Sequence, residues 1–243
     1  MMIFRLILGL VRSVLVFTLI ILCVITATVR TAFLGFNLLH SLRIRSFYLR
    51  LMLLVMGVKI VKRGNAVRGN YIYIANHRTY LDPAVMLLDI DAMPVAKAEV
   101  SSWPIIGYGA KATGILYVKR ESKESRTATR QAIKETLQQG DSILIFPEGT
   151  TNGLPKTIAF KIGTFAMAAE NNFEIAPIMI DYNDEELYWL GADTFMPHFI
   201  KICSKWRSVA YVEYGEPISG TDPVQLLQKT KDWIDNRLAH LPR

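Results

Sequence analysis

The chain is poor in the residues that would announce metal or disulfide chemistry. Its 243 residues include two cysteines, Cys23 and Cys203, far apart and without metal-ligand spacing. A disulfide framework is therefore not expected, which is compatible with a reducing compartment. Histidine occurs only four times, and no serine sits in a GxSxG elbow. A serine nucleophile of that kind is excluded, and no reactive cysteine stands near the polar motifs described below. There is no internal repeat and no low-complexity tract. With 51% apolar and 20% charged residues, the chain can bury a full core in one domain of good size.

The most informative absence is that of acidic side chains from the N-terminal third. Residues 1–81 carry eleven Lys or Arg and no Asp or Glu, leaving seventeen basic and twenty-one acidic residues, net −4, for the remaining 162. The whole excess of the +7 net charge belongs to the most apolar part of the chain. Basic and apolar character together point to an anionic membrane surface and away from nucleic acid, which would call for accompanying readout residues.

Within this third, seventeen uncharged residues run from Ser13 to Val29, between Arg12 and Arg30. As a helix they would reach ~26 Å, at the short limit for crossing a bilayer. A retained membrane anchor, a cleaved signal and a buried core helix all share this pattern, and the weak cleavage site favours the anchor. Flanking arginines on both sides leave its orientation open. A second helix, about Ser41–Val58, sets Arg43, Ser46 and Arg50 opposite Phe47, Leu51, Leu54 and Val55. It would either lie in the membrane interface or pack on the domain. Residues 1–58 thus read as a two-helix attachment module, and residues 59–243 as a separate α/β domain.

From residue 59 strand and helix patterns alternate. Strands are expected at Tyr71–Ala75, Met93–Ala96, Ile115–Val118, Ser142–Phe146, Ile175–Ile180 and Ser208–Tyr214. Helices are expected at Asp82–Leu88, about Pro104–Lys111, Lys123–Gln139, Ala159–Glu170 and Pro223–His240. Gly140 reads as a left-handed helix end, and Asp222 as an N-cap before Pro223. The class is α/β, a mixed and largely parallel sheet flanked by helices.

Polar groups gather where the strands end. Tyr71–Asp82 reads YIYIANHRTYLD, an apolar strand run broken by Asn76, His77, Arg78 and Thr79, with Asp82 before Pro83. A carboxylate can fix an imidazole's tautomer and stabilise the imidazolium, so His77 and Asp82 could form a general-base pair acting on a substrate hydroxyl. The spacing alone is a weak signal, and a turn-capping histidine would match it too. Further clusters are Lys97 in AKAEV, Gly114–Arg120 in GILYVKR, Phe146–Thr151 in FPEGTT and Lys161 in FKIG. Lys161 fits a solvated helix start as well as a binding role.

Taken together, NHRTYLD, GILYVKR, FPEGT and the apolar APIMI at 176–180 resemble, in order and spacing, the four blocks of the glycerolipid acyltransferases. The best-known bacterial members of that PlsC-like family are lysophosphatidic acid acyltransferases. The resemblance implies that His77 deprotonates a lysolipid hydroxyl, the sn-2 hydroxyl of the acceptor, while Asp82 orients His77. It implies an acyl thioester on acyl carrier protein or coenzyme A as donor, with Lys97 beside the reacting carbonyl. Asn76, Arg120, Glu148, Gly149, Thr150, Thr151 and Lys161 would serve acceptor binding. In that arrangement Arg120 and the N–H groups around Gly149 would take the phosphate, and Glu148 would bond a hydroxyl or a cation. No metal or organic cofactor is implied. The expected location is the cytoplasmic membrane, with the catalytic domain on its cytoplasmic face. The chain departs from many lysophosphatidic acid enzymes after FPEGT, where Thr151 replaces an arginine. That change favours acceptors other than a bare phosphate monoester, such as a larger headgroup or a lyso-aminolipid. A catalytically silent lipid-binding protein and a hydrolase are the rivals of other classes.

Overall fold

The computed structural model describes residues 2–97, 114–118, 123–191 and 193–241. The helix expected near Pro104–Lys111, and Arg120, lie outside these residues.

Seven strands form one sheet: β1 (Val58–Arg63), β2 (Ile72–Ala75), β3 (Ala92–Lys97), β4 (Leu116–Val118), β5 (Ser142–Ile145), β6 (Ile175–Tyr182) and β7 (Ser208–Tyr214), in the spatial order β1-β7-β6-β2-β5-β3-β4. Strands β6, β2, β5, β3 and β4 are mutually parallel, β7 runs antiparallel to β6, and β1 is parallel to β7. The parallel centre explains its composition. Every residue of β2 (IYIA), β5 (SILI) and β6 (IAPIMIDY) is buried, because helices cover both faces.

The helices are α1 (Met2–Leu34), α2 (Leu38–Val55), α3 (Asp82–Met86), α4 (Lys123–Gln138), α5 (Gly163–Asn171), α6 (Phe195–Cys203) and α7 (Pro223–Ala239), with a 3-10 turn at Glu185–Leu187. Alternate residues of the strands feed two separate cores. Tyr73, Ala75, Leu144, Ile178 and Ile180 pack with residues of α1, α2, α3 and α6. Ile72, Ile74, Ile143, Ile145 and Met179 pack with residues of α4, α5 and α7. The two-residue period of the strands therefore builds three layers.

Several local expectations hold. Gly140 has φ 90°, and Asp222 accepts the N–H groups of Val224 and Gln225 at the start of α7. Helix α5 begins at Gly163, four residues later than the apolar pattern indicated, because residues 158–161 close a loop over β5. Two elements carry no clear sequence signal. Strand β1 (VKIVKR) is an edge strand rich in cations, a common protection for an unpaired sheet edge. Helix α6 is nine residues long with Pro197 in its first turn.

The N-terminal helices are built into the domain. A seam of small residues on α1, Gly9, Ser13, Val16, Cys23 and Ala27, is buried. A Cβ on Gly9 would come within 2.8 Å of the Ile200 carbonyl oxygen on α6, so only glycine permits this approach. Val16, Leu53 and Met56 belong to the same core as Tyr73 and Phe199, and the Phe17 and Phe199 rings lie 5.4 Å apart. Helix α1 is long and apolar enough to cross a membrane, with 22% of its most apolar 18-residue stretch buried. Its outward side chains, among them Leu6, Val11, Val14 and Ile25, are exposed.

Helix α2 corrects one expected face. Arg43 and Arg50 are exposed, but Ser46 turns inward and donates to the Leu87 carbonyl at 2.9 Å. Arg45 is also buried, donating to the carbonyls of Ala92 at 2.8 Å and Gly114 at 3.3 Å. Phe47 and Leu54 face outward. The helix thus packs on the domain through a seam that mixes Leu42 and Leu53 with Ser41 and Arg45, and it leaves other apolar side chains uncovered.

Candidate active site

Parallel strands end on one edge of a sheet, so β2, β3, β5 and β6 deliver their following loops to the same place. At the end of β2 the Asn76 side chain imitates a peptide group. It donates to the Ile180 carbonyl at 2.7 Å and accepts from the Ile180 N–H at 2.9 Å. The ladder to β6 is thereby completed while the main chain turns away. Both polar ends of Asn76 are committed and the residue is fully buried, so the expected substrate contact is replaced by a structural tie.

The turn brings His77 and Asp82 together. His77 Nδ1 lies 2.7 Å from Asp82 Oδ2. The same oxygen accepts the backbone N–H groups of Arg78 at 2.6 Å and Thr79 at 3.0 Å. Oδ1 accepts from the Tyr182 hydroxyl at 2.8 Å. Asp82 is fully buried, and a carboxylate in such a place needs these donors. Because an ionised carboxylate only accepts, Nδ1 carries the proton and Nε2 presents its lone pair. Nε2 has no hydrogen-bond partner among the described residues. The imidazole stacks on Phe146 with centroids 4.1 Å apart, and its side chain is 20% exposed. A clamped ring with one open basic nitrogen can receive a proton from a bound hydroxyl.

The loop after β5 closes over this turn. Gly149 has φ 73°, which glycine adopts at little cost, and its N–H donates to the Phe146 carbonyl at 3.1 Å. That N–H is thus taken up by the turn and does not stand open for a phosphate. Glu148 differs from its expected role as well. One oxygen accepts the His77 N–H at 2.7 Å, while the other accepts from Asn152 Nδ2 at 2.9 Å and the Ile158 N–H at 3.0 Å. Instead of a hydroxyl or cation it holds three neutral donors and ties two loops. Burial raises its pKa, against the pull of the His77 and Ile158 N–H groups and of Arg78 and His77. The Thr151 hydroxyl donates to the Trp189 carbonyl, and Thr150 is exposed. Lys161 is exposed, with its backbone N–H bonded to the Pro147 carbonyl at 3.0 Å. Lys97 ends β3 on the same sheet edge, and its side chain falls outside the described part of the structure.

Two residues that sequence reasoning passed over complete the arrangement. Arg78 is 1% exposed, and its Nη1 donates to the Asn152 carbonyl, the Asn152 side chain and the Leu154 carbonyl at 3.0, 3.1 and 2.7 Å. Its Nε lies 3.3 Å from Asp181 Oδ1, and its guanidinium sits 5.3 Å from the Tyr188 ring centroid. Tyr182 is the other. Successive residues of β6, Ile180, Asp181 and Tyr182, hold Asn76, Arg78 and Asp82 respectively. The polar pair DY closing an otherwise apolar strand was the available signal.

A histidine with an open nitrogen, backed by a buried carboxylate at the carboxyl edge of an open α/β sheet, has the chemistry to accept a proton from a hydroxyl. The chain belongs to the acyltransferase family, whose description matches residues 57–181. Among its relatives is the lyso-ornithine lipid O-acyltransferase of Pseudomonas aeruginosa, 28% identical over 204 residues, covering 81% of this chain and 78% of that protein. The 1-acyl-sn-glycerol-3-phosphate acyltransferase of Neisseria gonorrhoeae is 28% identical over 139 residues, covering 56% of this chain and 53% of the relative. The crystal structure of PlsC, the 1-acyl-sn-glycerophosphate acyltransferase of Thermotoga maritima, superposes with a TM-score of 0.78 over 99% of both chains. At 17% identity that likeness concerns the fold.

Proposed function

We propose that this acyltransferase moves a fatty acyl group from a thioester to the free hydroxyl of a lysolipid at the membrane surface, with lysophosphatidic acid as acceptor. The observation that carries the reading is the His77–Asp82 pair at 2.7 Å with Nε2 open. His77 Nε2 takes the hydroxyl proton as the oxygen attacks the thioester carbonyl. The tetrahedral oxyanion collapses, the C–S bond breaks, and the imidazolium returns the proton to the departing thiolate. An ester and a free thiol result. Lys97, at the end of β3, is assigned to the oxyanion, and Arg120 to the acceptor's phosphate. Acyl carrier protein and coenzyme A are the candidate donors. The basic, acid-free first 81 residues and the exposed apolar face of α1 support attachment to an anionic leaflet, placed on the cytoplasmic side in this reading.

A second acceptor, lyso-ornithine lipid, is favoured by two particular observations. The relative of that activity in P. aeruginosa matches 81% of the chain, against 56% for the Neisseria enzyme. In addition, position 151 carries a threonine bound to the Trp189 carbonyl and supplies no cation.

The test is acyl transfer by the detergent-purified chain, given one acyl thioester and a panel of lysolipids containing both acceptors, with His77→Ala alongside. Product from lysophosphatidic acid, lost in the variant, supports the first reading. Product from lyso-ornithine lipid alone keeps the mechanism and moves the acceptor. Full turnover by His77→Ala removes the histidine as base.

A further inference from the structure

The two oxygens of Asp82 are held differently. Oδ2 faces His77 Nδ1 and two backbone N–H groups, whereas the Tyr182 hydroxyl is the donor to Oδ1 at 2.8 Å. Tyr182 closes β6 with 4% of its surface exposed, so solvent does not compete for that bond. We infer that Tyr182 is a positioning residue of the acyl transfer reaction, fixing the rotation of the Asp82 carboxylate and drawing off part of its charge, and so setting the basicity of His77.

This inference rests on the reading of His77 as the base. A hydrogen bond to one carboxylate oxygen disperses the charge that the other offers to the imidazole. Without it, Asp82 would favour the imidazolium more strongly. Burial and the neighbouring Asp82 carboxylate push the Tyr182 hydroxyl well above its usual range, so it remains a donor across any working pH.

The other groups around the pair are held by contacts that do not involve this hydroxyl. Arg78 and Asp181 face each other as an ion pair, and Tyr188 donates to Asp181 at 2.6 Å. Glu148 accepts the His77 backbone N–H from the β5 side, where Phe146 supplies an uncharged ring.

The test compares the full chain in detergent with its Tyr182→Phe variant, which keeps the ring and loses only the hydroxyl. The histidines are labelled with carbon-13 and titrated by NMR, and His77→Ala assigns the resonance among the four. The expected result is a rise in the His77 midpoint of roughly half a unit, mirrored in the acid limb of kcat/KM. The kcat should fall several-fold with both KM values unchanged. An unmoved midpoint would overturn the inference and leave Tyr182 as packing alone. Should Tyr182→Phe fail to fold, 3-fluorotyrosine at position 182 keeps the shape and donates more strongly, so the midpoint should fall, and no shift overturns the inference equally. If His77→Ala keeps full turnover, the base reading fails, while the titration still decides whether Tyr182 acts on the pair.

Discussion

The carboxyl edge of the sheet and the N-terminal helix pair both bury arginines, but they neutralise them in different ways. In the site loop, Arg78 meets the carboxylate of Asp181 and the face of Tyr188 as well as carbonyl groups. In the helix pair, Arg12 donates to the carbonyls of Lys205 at 2.7 Å and of Met56 and Cys203 at 3.4 Å, near the ends of α6 and α2. Arg45 is bound by the carbonyls of Ala92 and Gly114. Its burial pulls the guanidinium down to about 10, opposed by the charge of Asp91. The site is thus a charge-matched network that fixes one geometry. The helix pair uses long cationic side chains as caps for carbonyls, while many of its apolar residues, such as Val14 and Leu54, stay outside. A buried charge paired with a charge is costly to break, because the survivor is left uncompensated. A charge held by dipoles leaves only neutral groups behind.

Four measurements can break or sharpen this contrast. The largest effect is expected at the centre of the network. Asp82→Asn would set an amide among four donors and should lower kcat roughly a thousandfold with little change in acceptor KM. A change confined to KM would show that the carboxylate serves binding. Next comes Arg78→Met, expected to cost about 3–5 kcal/mol in denaturant unfolding because the buried Asp181 carboxylate loses the guanidinium beside it. Replacing Asp181 by Leu in the same chain should recover much of that loss, and a merely additive result would deny the pairing. Arg45→Met should cost less, about 1–3 kcal/mol, since the Ala92 and Gly114 carbonyls that it holds are neutral groups. A loss equal to that of Arg78→Met would erase the distinction between the two regions.

The smallest effect concerns pH. The Glu148 pKa is raised above its ordinary 4.5 by burial, so the folded chain holds that proton more tightly than the unfolded one. Its contribution to stability therefore declines as pH rises through the window above 4.5. Unfolding midpoints of the native chain relative to Glu148→Gln, followed from about pH 4 to about pH 7, should fall across that window. A rise instead would mean that the three N–H donors outweigh burial.

Much of the architecture was legible because it follows local periodicity. The strand β7 was read with its observed bounds, and β2, β5 and β6 within one or two residues, since buried parallel strands appear as short apolar runs. Strand β1 escaped because its Lys and Arg residues disguise an edge, and α6 because a proline and a short length hide its period. At the site, His77 and Asp82 were visible as a spacing. Asn76 and Glu148 were expected among the site residues, and their partners, Ile180 and the N–H groups of His77 and Ile158, lie apart from them along the chain. Arg78 was read only as one of the polar residues that break the strand run. Only the fold shows it nearly sealed from water beside Asp181.

What the sequence by itself determined is the alternation of strands and helices, the concentration of positive charge and apolar residues before residue 82, and the motif order that marks the family. These are local or compositional properties, carried by neighbours along the chain. The tertiary structure alone decided which polar side chains are left open and which hold the frame. That choice depends on the crossover placing β6 beside β2, which brings Ile180, Asp181 and Tyr182 onto Asn76, Arg78 and Asp82 across a hundred residues of chain.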